Sequence, residues 1–264
     1  LQVLSANGIE VVIPPNQGCC GAVTHHQGEL EQTRELAGDL IGRFEAVIGE
    51  GKAAGPEPLD AVLVAASGCG HTLKAYGRIL EGDAAGPDQE AVGGGTGGGD
   101  PNRAHAFADR VADIQDFLER VGLSESFVAA LAPLRHGDGA PASAERPLGL
   151  AYHDACHMLH GQGIRDQPRA LLRRIPHVEI HEAVEAGVCC GSAGIYNLVQ
   201  PEEAAELGRI KAEDLSGTGA QIAVSANIGC SLQIRRHMED SEHPLPVLHP
   251  VQLLEQSWRE GMEG

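Results

Sequence analysis

Cys189-Cys190-Gly191-Ser192-Ala193-Gly194-Ile195-Tyr196-Asn197 opens on a triplet that already occurs upstream as Cys19-Cys20-Gly21. Each triplet is followed by a Gly-Cys pair, Gly68-Cys69 and Gly229-Cys230. Adjacent cysteines are poor structural filler, because consecutive side chains on an extended segment point opposite ways and a disulfide between neighbours closes a strained ring. Two thiolates converging on one metal centre from a kinked loop is the better reason for such a pair, and the glycine lets the backbone come close to that centre. Buried, unreactive cysteine explains a lone residue well and a repeated triplet badly.

The surrounding sequence repeats with the cysteines. In the first half an expected strand over Glu10 to Ile13 leads to Cys19-Cys20-Gly21, a helix over Glu29 to Ile48, a strand over Leu59 to Ala66, Gly68-Cys69, and a helix over His71 to Leu80. In the second half a strand over Val178 to His181 leads to Cys189-Cys190-Gly191, a helix over Pro201 to Leu215, a strand over Ala220 to Ser225, Gly229-Cys230, and a helix over Ser231 to Met238. The halves close on similar helices, Asp113 to Arg120 and Pro250 to Trp258. Strands alternating with helices of this length predict an α/β fold with mainly parallel strands, in which ligands gather beyond the carboxyl ends of the strands. Cys69, Cys156, Cys189, Cys190 and Cys230 all fall there.

The second half also carries a strand, Leu148 to Tyr152, that runs into His153-Asp154-Ala155-Cys156-His157. The spacing from Cys156 to Cys189, applied backwards from Cys19, runs off the front of the sequence. The expectation is therefore a chain that begins inside its first repeat. Residues 1–132 form one domain with a Gly-rich insertion at 91–99, 133–147 a linker rich in Gly, Ala and Pro, and 148–264 a complete second domain.

Cys156, Cys189, Cys190 and Cys230 make four thiolates, enough for one 4Fe-4S cluster. Cys19, Cys20 and Cys69 make an incomplete first set. Zinc accepts four thiolates too, but usually from short C-x2-4-C knuckles that this sequence lacks, and no C-x-x-C opens a helix as thiol-disulfide chemistry requires. His25-His26 and the pair His153 and His157 could hydrogen-bond such a centre or replace a thiolate, although loop capping and packing is the favoured reading. Tyr152, Asp154, Tyr196 and Asn197 read as supporting or turn residues. No G-x-G-x-x-G follows a strand, so no dinucleotide site is expected.

The bulk properties exclude several classes. The 264 residues carry 37 acidic against 19 basic side chains, a net charge of -18, so nucleic acid and anionic membrane surfaces are repelled. No apolar run approaches the ~20 residues that span a bilayer, and no basic-then-apolar signal opens the chain. Seven clustered cysteines do not resemble a secreted disulfide framework, which points to a reducing cytoplasm.

On Gln17-Gly18-Cys19-Cys20-Gly21-Ala22, Ala66-Ser67-Gly68-Cys69-Gly70, Tyr152-His153-Asp154-Ala155-Cys156-His157, Cys189 to Leu198 and Asn227-Ile228-Gly229-Cys230-Ser231, the chain resembles the cysteine-rich CCG-domain family. That family includes the cysteine-rich component of heterodisulfide reductase, lactate-utilisation proteins and the iron-sulfur subunit of glycolate oxidase, and the Gly-Ser-Ala-Gly-Ile-Tyr-Asn string favours the last. The resemblance implies two repeated CCG domains and an electron-transfer subunit. Electrons would come from a partner flavin chain that oxidises glycolate or another 2-hydroxy acid and pass to a quinone or other acceptor, with membrane association only through the complex. No catalytic residue is expected in this chain. Single cysteines at Cys69 and Cys230, where the heterodisulfide reductase component has C-x-x-C, imply an ordinary four-cysteine cluster, and the resemblance leads to the expectation of a carboxyl-terminal fragment without the family's ferredoxin-like part. A zinc-stabilised or cluster-free docking subunit is the rival reading; an electron-transfer subunit of a lactate-utilisation or heterodisulfide reductase-like complex is a further one.

Overall fold

The structure, a computed structural model, describes residues 1–50, 59–81 and 100–264. The expected Gly-rich insertion at 91–99 lies outside the described residues. Two compact units are present. One comprises Leu1–Val11, Ala65–Ser67 and Ile114–Gly264, the other Val12–Val64 and Gly68–Asp113.

Strand β1, Val62–Val64, pairs in parallel with β2, Val111–Asp113, in the smaller unit. Around this pair pack Ala37, Leu40 and Ile41 of the helix Leu30–Glu50, Tyr76 and Ile79 of Tyr76–Glu81, and Phe107 of Pro101–Ala108. Phe107 stacks on Tyr76 at 5.9 Å between ring centroids and meets Phe44 edge-on at 5.5 Å.

The larger unit is built on β3 (Leu148–His153), β4 (Val178–Glu182), β5 (Ile222–Ser225) and β6 (Val247–Leu248), all parallel, in the order β4-β3-β5-β6. Every residue of β3 is buried, as a strand paired on both edges and covered on both faces must be. Helices Cys156–Gln162 and Asp166–Leu172 lie between β3 and β4 in the chain, Pro201–Ser216 between β4 and β5, and Ile228–Met238 between β5 and β6. Pro201–Ser216 buries Ala204, Gly208, Lys211, Ala212 and Leu215, the stripe expected of a helix laid on a sheet. The expected α/β fold with mainly parallel strands flanked by helices is what forms.

Several elements differ from the sequence-based expectation. Residues 9–14 form no strand: Val12 and Ile13 are exposed, and Pro14-Pro15 end the run, removing the backbone donors a ladder would use. Leu59 to Ala66 contracts to β1. The helix expected from His71 begins at Ser67 and is interrupted at Ala75, and the helix expected from Ser231 begins at Ile228. Both Gly-Cys pairs therefore ride in the first turn of a helix rather than in the preceding loop. Strands β2 and β6 are only three and two residues long, too short to leave a period-two signature.

Residues 133–147 are tied into the larger unit. Ala142 N donates to Leu134 O at 2.8 Å and His136 N to Ala140 O at 2.8 Å. Just before them, Ala132 is clasped by Ser257, whose Oγ donates to Ala132 O at 2.7 Å.

Candidate metal centre

The second cysteine set sits where β3, β4 and β5 end. β3 delivers His153, Asp154 and Ala155, and Cys156 is the first residue of the helix that follows. Beyond β4 comes the loop carrying Cys189 and Cys190, while Asn227 caps the helix that holds Cys230 in its first turn after β5. Helix N-termini favour nearby negative charge, so Cys156 and Cys230 are placed where a thiolate is stabilised.

Two polar clamps hold these loops. Buried Arg169 donates bidentately to Asp154, at 2.9 Å to each carboxylate oxygen, and to Glu182 at 2.8 Å to each, while its guanidinium lies 4.5 Å from the Tyr152 ring centroid. Asp154 precedes Cys156 by two residues and Glu182 ends β4, so one side chain fixes both approaches to the site. On the other side, Asp214 accepts from Val184 N and Glu185 N at 2.9 Å each. Lys211 donates to Glu185 O and lies 3.8 Å from Asp214. The loop leading to Cys189 is thereby pinned to the helix Pro201–Ser216.

The triplet itself is a tight left-handed turn. Gly191 has φ +84°, and its N–H donates to Cys189 Sγ at 3.3 Å. The first triplet repeats this geometry, with Gly21 at φ +73° and its N–H 3.4 Å from Cys19 Sγ. Cys69 is the third residue of the helix Ser67–Lys74, as Cys230 is of Ile228–Met238. The duplication inferred from sequence thus extends to matched backbone turns.

Thiol interactions run Cys156 to Cys189, Cys189 to Cys190 and Cys190 to Cys230. Contact with Cys189, reinforced by burial, pushes Cys156 up. Cys190 is pushed up by Cys189, then Cys230, then burial. Contact with Cys156 and then Cys190 drives Cys189 well below the ordinary thiol range, and Cys230 is lowered to about 4, chiefly by Cys190 and against the opposing effect of burial. Four thiols this close cannot all ionise unaided, and a polycationic centre is the species that would let them. In the smaller unit Cys20 and Cys69 interact directly: Cys69 is lowered to about 7 by Cys20, which is itself pushed up by Cys69 and then burial, and Cys19 acts on Cys69 through space. Tyr76 Oη donates to Cys20 O at 2.7 Å, fixing that turn.

Of the predicted cysteines, the structure links Cys156, Cys189, Cys190 and Cys230 in a chain of thiol contacts and brings Cys20 against Cys69, while Cys19 acts on Cys69 only through space. For His153, where the sequence favours packing over a bond to the centre, the structure places the ring against the cysteines. Among the described residues, His153, Cys190 and Cys230 form a group of buried donors whose ligating atoms all lie within 4.8 Å of one another. His25 and His26 lie on the helix Ala22–His26, and burial lowers both; no such group includes them among the described residues. The donor chemistry fits iron bound through sulfur: four convergent thiols, positioned loops, and a buried imidazole facing them.

Comparison with known proteins agrees with this geometry. The CCG cysteine-rich domain family matches residues 1–74 and 150–235. A probable glycolate oxidase iron-sulfur subunit of Bacillus subtilis is 32% identical over 239 residues, 90% of this chain and 45% of its own length. The glycolate oxidase iron-sulfur subunit of Escherichia coli is 27% identical over 256 residues, 97% of this chain and 52% of its own. A lactate utilization protein A from a Geobacillus species is 24% identical over 255 residues, covering 96% of this chain and 90% of that protein. The chain spans about half the length of the two glycolate oxidase subunits. With paired triplets, matched turns and the family match over both halves, the chain belongs to the CCG cysteine-rich domain family.

Proposed function

We propose that this chain is an iron-sulfur electron-transfer component of a 2-hydroxy-acid oxidase of the glycolate oxidase type. The observation that carries the reading is the convergence of Cys156, Cys189, Cys190 and Cys230 at the carboxyl ends of three adjacent parallel strands. Those four residues would hold a 4Fe-4S cluster, and Cys19, Cys20 and Cys69 a second centre with one thiolate fewer from this chain. Such a cluster, when bound, takes up and releases single electrons. The fold keeps Cys190 and Cys230 buried and leaves Cys156 and Cys189 partly exposed, which supports a centre that a partner can approach from the Cys156 and Cys189 side.

Substrate oxidation belongs, on this reading, to a separate flavin chain, and the electrons continue to a quinone or another acceptor. The names of the glycolate oxidase relatives, each an iron-sulfur subunit, support a place in a multi-subunit complex. The division into repeats at 1–132 and 148–264 joined by 133–147 is part of the same proposal, as is a reducing cytoplasmic setting with any membrane contact made through partners. No helix among the described residues is long and apolar enough to cross a membrane.

Anaerobic reconstitution with iron and sulfide tests the reading. A brown chain is expected, and Cys156→Ser, Cys189→Ser and Cys230→Ser should each remove most of one cluster, about four irons per chain. Cys20→Ser should remove less. Iron content untouched by the three substitutions, or a colourless zinc-loaded chain, would overturn it. Loaded with iron but alone, the chain should show no glycolate oxidation with an artificial acceptor.

A further inference from the structure

His153 closes β3, in register with Ser225 of β5, and its side chain is almost wholly withdrawn from solvent at 1% exposure. Neither ring nitrogen has a nitrogen or oxygen hydrogen-bond partner among the described residues; the side chain it interacts with is the Cys230 thiol. A polar atom buried in that way is costly unless something satisfies it. The obvious intramolecular acceptor, the carboxylate of the next residue, is already committed, because both oxygens of Asp154 accept from Arg169. What the ring does face is sulfur: a ring nitrogen lies within 4.8 Å of both Cys190 Sγ and Cys230 Sγ, and those two atoms lie within the same distance of each other. Asn227 already donates to Cys230 Sγ at 3.3 Å, so that sulfur is built to receive hydrogen bonds.

Resting on the iron-sulfur reading above, we propose that His153 donates its ring N–H to a sulfur of the second centre, as a non-ligating residue that raises the centre's reduction potential. Four thiolates already supply the coordination a cubane cluster needs, which leaves the imidazole the role of donor. An N–H directed at sulfur offsets the negative charge that accumulates on reduction, and hydrogen bonds to the sulfurs are among the main determinants of cluster potential. The Arg169 clamp contributes by fixing Asp154, so that the ring is presented without freedom to turn away.

The test uses the whole chain, labelled with 15N-histidine, reconstituted anaerobically and reduced. Pulsed EPR should show a weak 15N coupling that vanishes in His153→Leu. The midpoint potential should fall in His153→Leu and fall less in His153→Gln, which keeps an N–H donor, with iron and sulfide per chain unchanged in both. A strong coupling diagnostic of an iron-nitrogen bond would overturn the donor role, as would a fully loaded His153→Leu chain with an unaltered potential. If His153→Leu fails to load, the labelled wild-type chain and His153→Gln decide the matter by the same two readouts. Absence of iron from the wild-type chain itself would remove the electron-transfer reading and this inference together, whereas normal iron without the 15N signal would remove only the latter.

Discussion

Arg169→Met is expected to cost about 3–5 kcal/mol of stability and to strip iron from the second centre, the larger of two effects that follow from the clamps around it. Arg169 is 4% exposed and Asp154 is 3% exposed at the side chain, so removing the guanidinium leaves a carboxylate buried without its partner. Glu182 is about half exposed and can rehydrate, so most of the cost arises at Asp154. Arg169→Lys should rescue little, because an ammonium cannot make two parallel pairs and stack on Tyr152 as well. Asp154→Leu added to Arg169→Met should recover part of the loss by deleting the stranded charge. Denaturant unfolding followed by circular dichroism, with iron analysis of the same samples, measures both effects.

An acid limb accompanies this pair. Hydrogen bonding from Arg169 holds Glu182 below the ordinary carboxylate range despite partial burial. A depressed carboxylate contributes stability that is complete above its unfolded value of about 4.3 and is lost as the pH falls through the folded value. The wild-type chain should therefore lose stability below about pH 4 in part through Glu182, and Arg169→Met should lack that component.

Gly191→Ala and Gly21→Ala should differ sharply although both glycines end a Cys-Cys-Gly turn. At Gly191 an added Cβ would lie 2.5 Å from Ala204 O and 3.1 Å from Ala204 Cα, backbone atoms of a helix that cannot move alone. At Gly21 the nearest atoms stand off at 3.5 Å. Gly21→Ala then carries only the left-handed backbone penalty, about 1–2 kcal/mol, while Gly191→Ala adds overpacking for about 2–5 kcal/mol in all. Because the Gly191 N–H to Cys189 Sγ bond turns with the loop, iron should be lost as well. Equal melting temperatures for the two variants would refute the close-packing argument.

The cysteine constellation was legible in the sequence because Cys-Cys-Gly and Gly-Cys are local signals: the turn, its glycine and the following helix are all set within a few residues. The period of strand and helix likewise announced a parallel sheet. For His153 the sequence offers both a hydrogen bond to the centre and a packing role and favours the second, because its facing Cys190 and Cys230 depends on the pairing of β3 with β5 and the return of the β4 loop. The Arg169 clamp was invisible, since it spans Asp154 and Glu182 from a third element. At Glu10 to Ile13 the β-branched run misled, because a strand exists only where a partner ladder receives it.

Sheet order also governs the moment at which metal can enter. Cys156 leaves the ribosome before the Cys189-Cys190 loop, and Cys230 follows only after β5, so the pocket has no complete wall until β5 has docked beside β3. Such non-local pairing is slow relative to helix formation. For the seconds that synthesis of this stretch takes, unmetallated thiols stay accessible to oxidants. Yield of loaded protein should therefore depend more on the redox state and iron supply during translation than on anything done to the finished chain.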